Sequence, residues 1–395
     1  MRNFEPEKMQ HVHFSAIRAM MAEAGQMEKA GADIVHFDIG QPDFSTPKHI
    51  LDAAKAAIDA GKVSSYTAVA GIPELRQACA NKLNEEFGTG SYKMENIIVT
   101  CGGQEAIASA ILGLLDSGDE ILLPEPCYLA YPNMAYMVNA VPVMVPLVEE
   151  EDWDLDVKKM EAAITERTKI LLLCSPNNPT GSVLSDACLK KIAEICIRKD
   201  LLVISDEAYE RIVYDGKKAT SIATLPGMKE RTLVVRTFSK SDAMCGWRVG
   251  YVAAPDELVG VLFRAHNYAI THTSAVGQYA ALCAITGTDE VRSAMVEEFA
   301  RRRAFMTKRL EEMRIPFSRP GGAFYLFPNI SSFSMSSKEF CTRLLHEAHV
   351  TAVPGDTFGK AGENHIRMSY ATSMERCIEG MNRMEKFVKQ LRGEA

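Results

Sequence analysis

Although the chain carries 10 cysteines, it lacks any Cys-x-x-Cys pair. That absence removes the usual spacing of zinc ribbons and dithiol redox sites. The cysteines are scattered singly, several inside apolar stretches such as Leu171-Leu172-Leu173-Cys174, the pattern of reduced, mostly buried thiols in a reducing compartment. No apolar run reaches membrane-spanning length, and residues 1–10 are polar and charged, without the apolar stretch of an export signal. A cytoplasmic protein without a membrane anchor is expected. Positive charge is also in deficit. The net charge is −7, and no basic stripe suited to nucleic acid is present. The densest basic run, Arg301-Arg302-Arg303, is bracketed by Glu297, Glu298, Glu311 and Glu312 and reads as a solvated helix face. The close histidine pairs, His11 with His13 and His346 with His349, have no Cys, Asp or Glu partners at ligand spacing, so no metal site is expected. The dinucleotide fingerprint G-x-G-x-x-G is missing as well, which argues against a nicotinamide-dependent dehydrogenase.

What is present is a 395-residue chain, 47% hydrophobic and 24% charged, long enough for one large core and a smaller second domain. Short apolar runs at 96–101, 120–123, 141–147, 169–174, 201–205, 232–237 and 249–253 predict strands. They are nearly all apolar rather than alternating, as in strands covered on both faces. Helical patterns at 104–115 and 186–199 separate some of them. Such alternation predicts an α/β fold, a large three-layer αβα domain with a mostly parallel sheet. The last third differs. A long amphipathic helix at 290–314 is followed by short strands at 323–327 and 365–370 and a final helix at 374–391, which predicts a smaller α+β domain. The expected division is 1–45, an N-terminal segment with a strand at 34–38 joining the small domain, then 46–285, the large domain, and 286–395, the small one. A cleft between the two follows.

Six places along the chain carry residues suited to chemistry, each with an ordinary structural alternative. Thr237-Phe238-Ser239-Lys240 ends an apolar run, and Arg248 follows within Gly246-Trp247-Arg248-Val249-Gly250. A lysine amine condenses with aldehydes, and hydroxyls with an arginine fork hold a phosphate dianion; a surface lysine beside a loop is the alternative. Asp206, in Ser205-Asp206-Glu207-Ala208-Tyr209, stands where a parallel strand would deliver it to a ligand crevice. There it could pair with a protonated ring nitrogen, or simply cap a helix. Asn178, in Ser175-Pro176-Asn177-Asn178-Pro179-Thr180-Gly181, could donate to a ring hydroxyl; a turn explains the prolines and Gly181 but does not require this Asn. Gly102-Gly103-Gln104 runs from strand into helix, where a backbone could approach a phosphate, or where strand and helix merely pack closely. Tyr128, after Pro124 and Pro126, could stack on a planar ring or serve packing alone. Arg367, within Ile366-Arg367-Met368-Ser369-Tyr370, is costly in an apolar strand unless paired, with a substrate carboxylate or in a salt bridge.

The order and spacing of these segments are more specific than any one of them. Together with 39–44, Met244-Cys245-Gly246-Trp247-Arg248, Gly322-Ala323-Phe324-Tyr325 and 367–372, the set resembles the class I and II aminotransferases of the fold-type-I pyridoxal-phosphate superfamily, over almost the whole chain. It is most similar to the aspartate and aromatic aminotransferase branch. The resemblance implies pyridoxal 5′-phosphate as cofactor, with Lys240 as its Schiff-base lysine and Asp206 on the pyridine nitrogen. It implies Asn178 and Tyr209 on the ring 3′-oxygen and Tyr128 stacked on the ring. Gly102, Gly103, Gln104, Thr237, Ser239 and Arg248 would hold the phosphate, and Tyr66, in 65–71, would reach the phosphate of the neighbouring subunit. A homodimer with shared active sites is thereby implied. Arg367 would clamp the substrate α-carboxylate, with the Gly40 backbone, Asn178 and Phe14 close by.

Two departures bear on the substrate. Relatives that prefer acidic side chains often have a lysine where this chain has Gln104, and Phe14 falls where a small polar residue is common. Both weaken the case for a dedicated aspartate enzyme and are compatible with aromatic or other apolar amino acids; the expected donor is an aromatic or broadly chosen L-amino acid, with aspartate still open, and the expected acceptor is 2-oxoglutarate. A carbon–sulfur β-lyase shares the same cofactor residues and is the first alternative. A non-catalytic ligand sensor is the second.

Overall fold

The structure is a computed structural model that describes residues 4–12 and 16–394. Its centre is an eight-stranded sheet. In chain order the strands of the molecule are β1 (Val35–His36), β2 (Ile97–Thr100), β3 (Glu120–Glu125), β4 (Val141–Val148), β5 (Asp154–Leu155), β6 (Thr168–Cys174), β7 (Leu202–Asp206), β8 (Thr232–Thr237), β9 (Gly250–Ala253), β10 (Tyr325–Leu326), β11 (Val350–Thr351), β12 (Val353–Pro354) and β13 (Ile366–Ser369). The large sheet runs β2-β9-β8-β7-β6-β3-β4-β5. From β4 through β3, β6 and β7 to β8 every pairing is parallel. Only β9 and the short edge strand β5 run against that direction.

The apolar runs are explained by the two covered faces. Ile121, Leu123, Ile170, Leu172, Ile204, Leu233, Val235 and Val252 point to one side, under the helices Gly102–Leu114, Ala130–Met137 and Asp256–Ile270. Their neighbours Leu122, Leu171, Leu173 and Val203 point to the other side, against the helix Asp186–Arg198. Farther along that side, Val234, Tyr251 and Val99 meet the helices Pro73–Phe87 and Ala275–Thr286. Alternate residues of one strand thus enter different layers, and both layers are dry.

A second core holds Phe299, Phe324, Phe340, Leu344 and Phe387 with Val35 and Phe37 of the N-terminal segment. There β1 pairs with β11, and β10, β13 and β12 form a three-stranded antiparallel sheet. The helix Glu290–Glu312 contributes Phe299, Met306 and Leu310 to this core. One sequence expectation fails on that helix. Arg302 and Arg303 are not on a solvated face: they are 5% and 3% exposed. Arg302 pairs with Asp43 at 2.7 Å and with Glu298 at 2.9 Å, and Arg303 pairs with Asp215 at 2.6 Å. The helical period turns two of three consecutive arginines inward, and distant carboxylates, invisible to local reading, receive them. Nearer its start, Arg292 pairs with Asp242 at 2.6 Å. Among the described residues no helix is long and apolar enough to cross a membrane.

Behind the centre of the sheet lies a buried charge cluster. Arg236 on β8 bonds Glu207 at 3.0 Å and also Glu86. Glu210 sits 4.0 Å from Arg236 and 3.6 Å from Arg211, with Oε2 buried and unpartnered. Burial pushes its carboxyl up to about 7 from an ordinary 4.5, against the pull of the two arginines. Between those pH values the folded chain keeps a proton that the unfolded chain has lost. Glu210 therefore subtracts stability progressively as pH rises from about 4.5, and its full cost is present above pH 7. Glu210→Gln should be more stable than the parent at pH 8, by at most about 3 kcal/mol, and equally stable at pH 4.5. Denaturant titrations at the two pH values check this, and an equal gain at both would show that charge is not the cause.

Candidate active site

The parallel strands end at one edge of the sheet, and there the chain turns polar. Cys174, Asp206 and Thr237 close β6, β7 and β8. Asn178, Tyr209 and Lys240 lie in the turns that follow, and the helix Gly102–Leu114 starts just past β2. Arg367 comes from the other core, on β13. A cavity of about 510 Å³ between the two cores is lined by these residues together with Gly40, Gly103, Gln104, Tyr128, Tyr131, Ser239, Arg248 and Tyr325. Crevices at the carboxyl ends of parallel strands are where open α/β sheets bind ligands.

At the floor, Asp206 is 7% exposed. Its Oδ2 accepts from the Tyr131 hydroxyl at 2.6 Å and its Oδ1 from the Ala208 amide at 3.1 Å. No cation among the described residues forms an ion pair with it, and burial raises its pKa above the ordinary carboxylate value. A buried carboxylate in that condition is stabilised as an anion by a positively charged partner.

The opposite imbalance exists at Arg367, which is 3% exposed. Its Nη1 donates to Asn178 Oδ1 at 3.0 Å and its Nη2 to the Asp38 carbonyl at 2.8 Å, while Nε is buried without a partner. The rings of Tyr325 and Phe358 lie 4.5 and 5.0 Å from the guanidinium carbon. Neutral oxygens and aromatic faces surround this cation, and none of the described carboxylates forms an ion pair with it. A carboxylate ligand would complete it.

Lys240 Nζ donates to the Gly40 carbonyl at 2.7 Å and lies 5.8 Å from the Tyr209 ring and 5.9 Å from the Phe324 ring. The Tyr209 and Tyr325 hydroxyls are 2.9 Å apart. The Tyr128 hydroxyl donates to Gln104 Oε1 at 3.3 Å.

Arg248, the Gly102-Gly103-Gln104 segment and the hydroxyls of Thr237 and Ser239 form the remaining wall. The Thr237 hydroxyl accepts from the Ser239 amide at 3.2 Å and lies 3.0 Å from the Ser239 hydroxyl. Gly102 has φ of 76°, and a Cβ there would fall 2.7 Å from Arg248 Nη2. Glycine thus lets the guanidinium lie directly on the helix start, where the first amides have no intrahelical partner. At Gly250 a Cβ would come within 2.8 Å of the Gly102 carbonyl carbon, so the same helix start can press against β9. Cation, hydroxyls and open amides converge as an anion seat.

The sequence model of the family described as aminotransferase class I and II matches residues 32–384. The chain belongs to the class I and II aminotransferases. It is 41% identical to an aspartate aminotransferase of Pyrococcus abyssi, over 97% of this chain and 98% of the relative. It is 40% identical to the aromatic-amino-acid aminotransferase 2 of Thermococcus litoralis, over the same shares. Among solved structures, the aromatic aminotransferase of Pyrococcus horikoshii superposes with a TM-score of 0.89 at 39% identity, covering 96% of this chain and all of that one.

The cleft of this aminotransferase brings together Lys240, Asp206, Tyr209, Asn178, Tyr128, Gly103, Gln104, Thr237, Ser239, Arg248, Gly40 and Arg367, and Gly102 underlies Arg248. Tyr66 stands outside it, 87% exposed, edge-on to His272 at 5.4 Å. Phe14 lies outside the described residues.

Sequence reasoning missed Tyr131 and Tyr325. Tyr131 follows Tyr128 by three, but its partner Asp206 lies 75 residues farther along the chain; Tyr325 belongs to the motif at 322–325, to which local sequence assigns no role. Removing the Tyr131 hydroxyl leaves Asp206 Oδ2 with no donor. Tyr131→Phe should therefore lower the stability of the chain at pH 7 by about 1–2 kcal/mol, measured by urea unfolding. Unchanged stability would mean that the Tyr131 hydroxyl does not stabilise the buried Asp206.

Proposed function

We propose that this aminotransferase binds pyridoxal 5′-phosphate in the cleft and moves the amino group of an aromatic or broadly chosen L-amino acid to a 2-oxo acid, with 2-oxoglutarate the expected acceptor, in two half-reactions. The reading is carried by one observation: a buried carboxylate without a cation and a buried cation without a carboxylate face the same cavity as a primary amine. The cofactor meets the first need with its ring nitrogen, and the substrate meets the second with its α-carboxylate. When bound, the pyridine ring supplies an electron sink for charge developing at the substrate α-carbon.

The chain's own residues then have distinct tasks. Asp206, fixed by Tyr131 and the Ala208 amide, keeps the ring nitrogen protonated. Asn178 and Tyr209 donate to the ring oxygen, and Tyr128 covers the ring. Arg248, Thr237, Ser239 and the amides of Gly102, Gly103 and Gln104 hold the phosphate. Lys240 would hold the cofactor aldehyde until the substrate amine displaces it, and the freed Nζ, bonded here only to the neutral Gly40 carbonyl, would carry a proton to and from the α-carbon. Arg367 orients the substrate by its carboxylate, which fixes the bond to be broken.

The lining supports an apolar or aromatic donor. Apart from Lys240, Arg248 and Arg367, none of the described residues lining the cleft is cationic, and Met21, Ile39 and Ile107 add apolar surface. Gln104 is neutral and engaged by Tyr128. Relatives named for aspartate and for aromatic substrates are about equally similar, so the lining carries this choice. The exposure of Tyr66, away from its own cleft, supports a homodimer in which it serves the neighbouring phosphate. We place the protein in the cytoplasm.

The purified protein should absorb in the near-ultraviolet or visible range when loaded with pyridoxal phosphate. That band should shift on adding phenylalanine or tyrosine alone, faster than on adding aspartate. Lys240→Ala should abolish the lysine-linked band. Arg367→Lys should leave the band but lower kcat/KM for the donor on the order of 100-fold, because the two-pronged grip is lost. A protein that stays colourless with added cofactor would overturn the reading, and a faster shift with aspartate would overturn the donor preference alone.

A further inference from the structure

A buried histidine outside the cleft is joined to its phosphate end. His266, on the helix Asp256–Ile270, is 1% exposed. Its Nδ1 lies 3.1 and 3.3 Å from the two carboxylate oxygens of Glu105, and its Nε2 lies 2.9 Å from the Val69 carbonyl. A carbonyl only accepts, and so does an ionised carboxylate. Both ring nitrogens face acceptors, and the imidazolium is the form that donates to both.

Glu105 belongs to the first turn of the helix Gly102–Leu114, directly after Gln104. Its Oε2 accepts from the Cys101 amide at 3.0 Å and its Oε1 from the Ser109 hydroxyl at 2.5 Å. Arg248 reaches the same helix start, donating to the Cys101 carbonyl at 3.4 Å. A fixed anion therefore stands within one residue of the amides that would receive the phosphate, where repulsion in a poorly solvated wall is least screened. Val69 belongs to the same segment as Tyr66. Gln278 fastens that segment further, accepting from the Ile72 amide at 2.7 Å and donating to the Thr67 hydroxyl at 3.0 Å.

We propose that His266 is a positioning residue for the cofactor phosphate: its imidazolium neutralises Glu105 at the start of the phosphate-seating helix and, through Val69, fixes the Tyr66 segment against that helix. The proposal rests on the reading of the cleft as a pyridoxal-phosphate site. Glu105 holds the helix start in shape through the Cys101 amide, and His266 removes the electrostatic penalty of having a carboxylate do so. Removing the cation while keeping the carboxylate should repel a phosphorylated ligand and leave its unphosphorylated analogue unaffected.

The test is a titration of the full-length protein, freed of cofactor, with pyridoxal phosphate and separately with pyridoxal, followed by absorbance. For His266→Gln the affinity for pyridoxal phosphate should fall about ten-fold, while that for pyridoxal stays within about two-fold of the parent. Adding Glu105→Gln to that variant should restore most of the loss. Should His266→Gln fail to fold, Glu105→Gln alone decides, since without the carboxylate there is no anion to neutralise and phosphate binding should be at least as tight as in the parent. Equal weakening for both ligands, or a double variant as weak as the single one, would overturn the proposal and leave His266 a packing residue. A parent protein that binds pyridoxal phosphate while His266→Gln does so undiminished would overturn this inference only. A parent that binds neither ligand would overturn the reading of the cleft as well.

Discussion

The constraint from which the rest follows is that both faces of the eight-stranded sheet are sealed by helices. A sheet of that kind has no polar face to spend on chemistry, and its strands carry almost nothing but Leu, Ile and Val through the middle. Polar groups collect where the parallel strands stop. Asp206, Thr237, Asn178, Tyr209 and Lys240 are all delivered there by neighbouring strands in register, Cys174 beside Asp206 and Asp206 beside Val235. The second core then closes over that edge and brings Arg367. Among the described residues neither Asp206 nor Arg367 forms an ion pair, and burying either charge alone opposes folding.

Much of this was legible in the sequence because it is local. The strand at 232–237 matches β8 residue for residue, and the helix at 186–199 is off by one at its end. Continuous apolar runs mean strands with two covered faces, and that pattern does not depend on distant partners. Asp206, Thr237, Asn178, Tyr209 and Lys240 were legible for another reason: they stand at or just past strand ends, a place readable without the fold. Short pieces such as β5 and β12, two residues each, left no periodicity to read.

Long-range charge pairing was not legible. Arg302 and Arg303 looked like solvated residues because their partners, Asp43 and Asp215, are far away in sequence. The same applies to His266 and Glu105, separated by 161 positions. Tyr131 was closer to hand, yet its value depends on Asp206 lying opposite, and nothing in its own neighbourhood says so. Local sequence carries backbone and burial well, and carries the identity of a buried polar group's partner poorly.

The helix Glu290–Glu312 has a mechanical consequence. It is 23 residues long, a rod of about 34 Å. Near its start it is tied through Arg292 to Asp242, two residues from Lys240, and farther along Arg302 and Arg303 pin it to Asp43 and Asp215. A rod anchored at three points along its length moves as one piece rather than bending. The second core is packed along this rod, so the helix joins that core to the turn that carries Lys240.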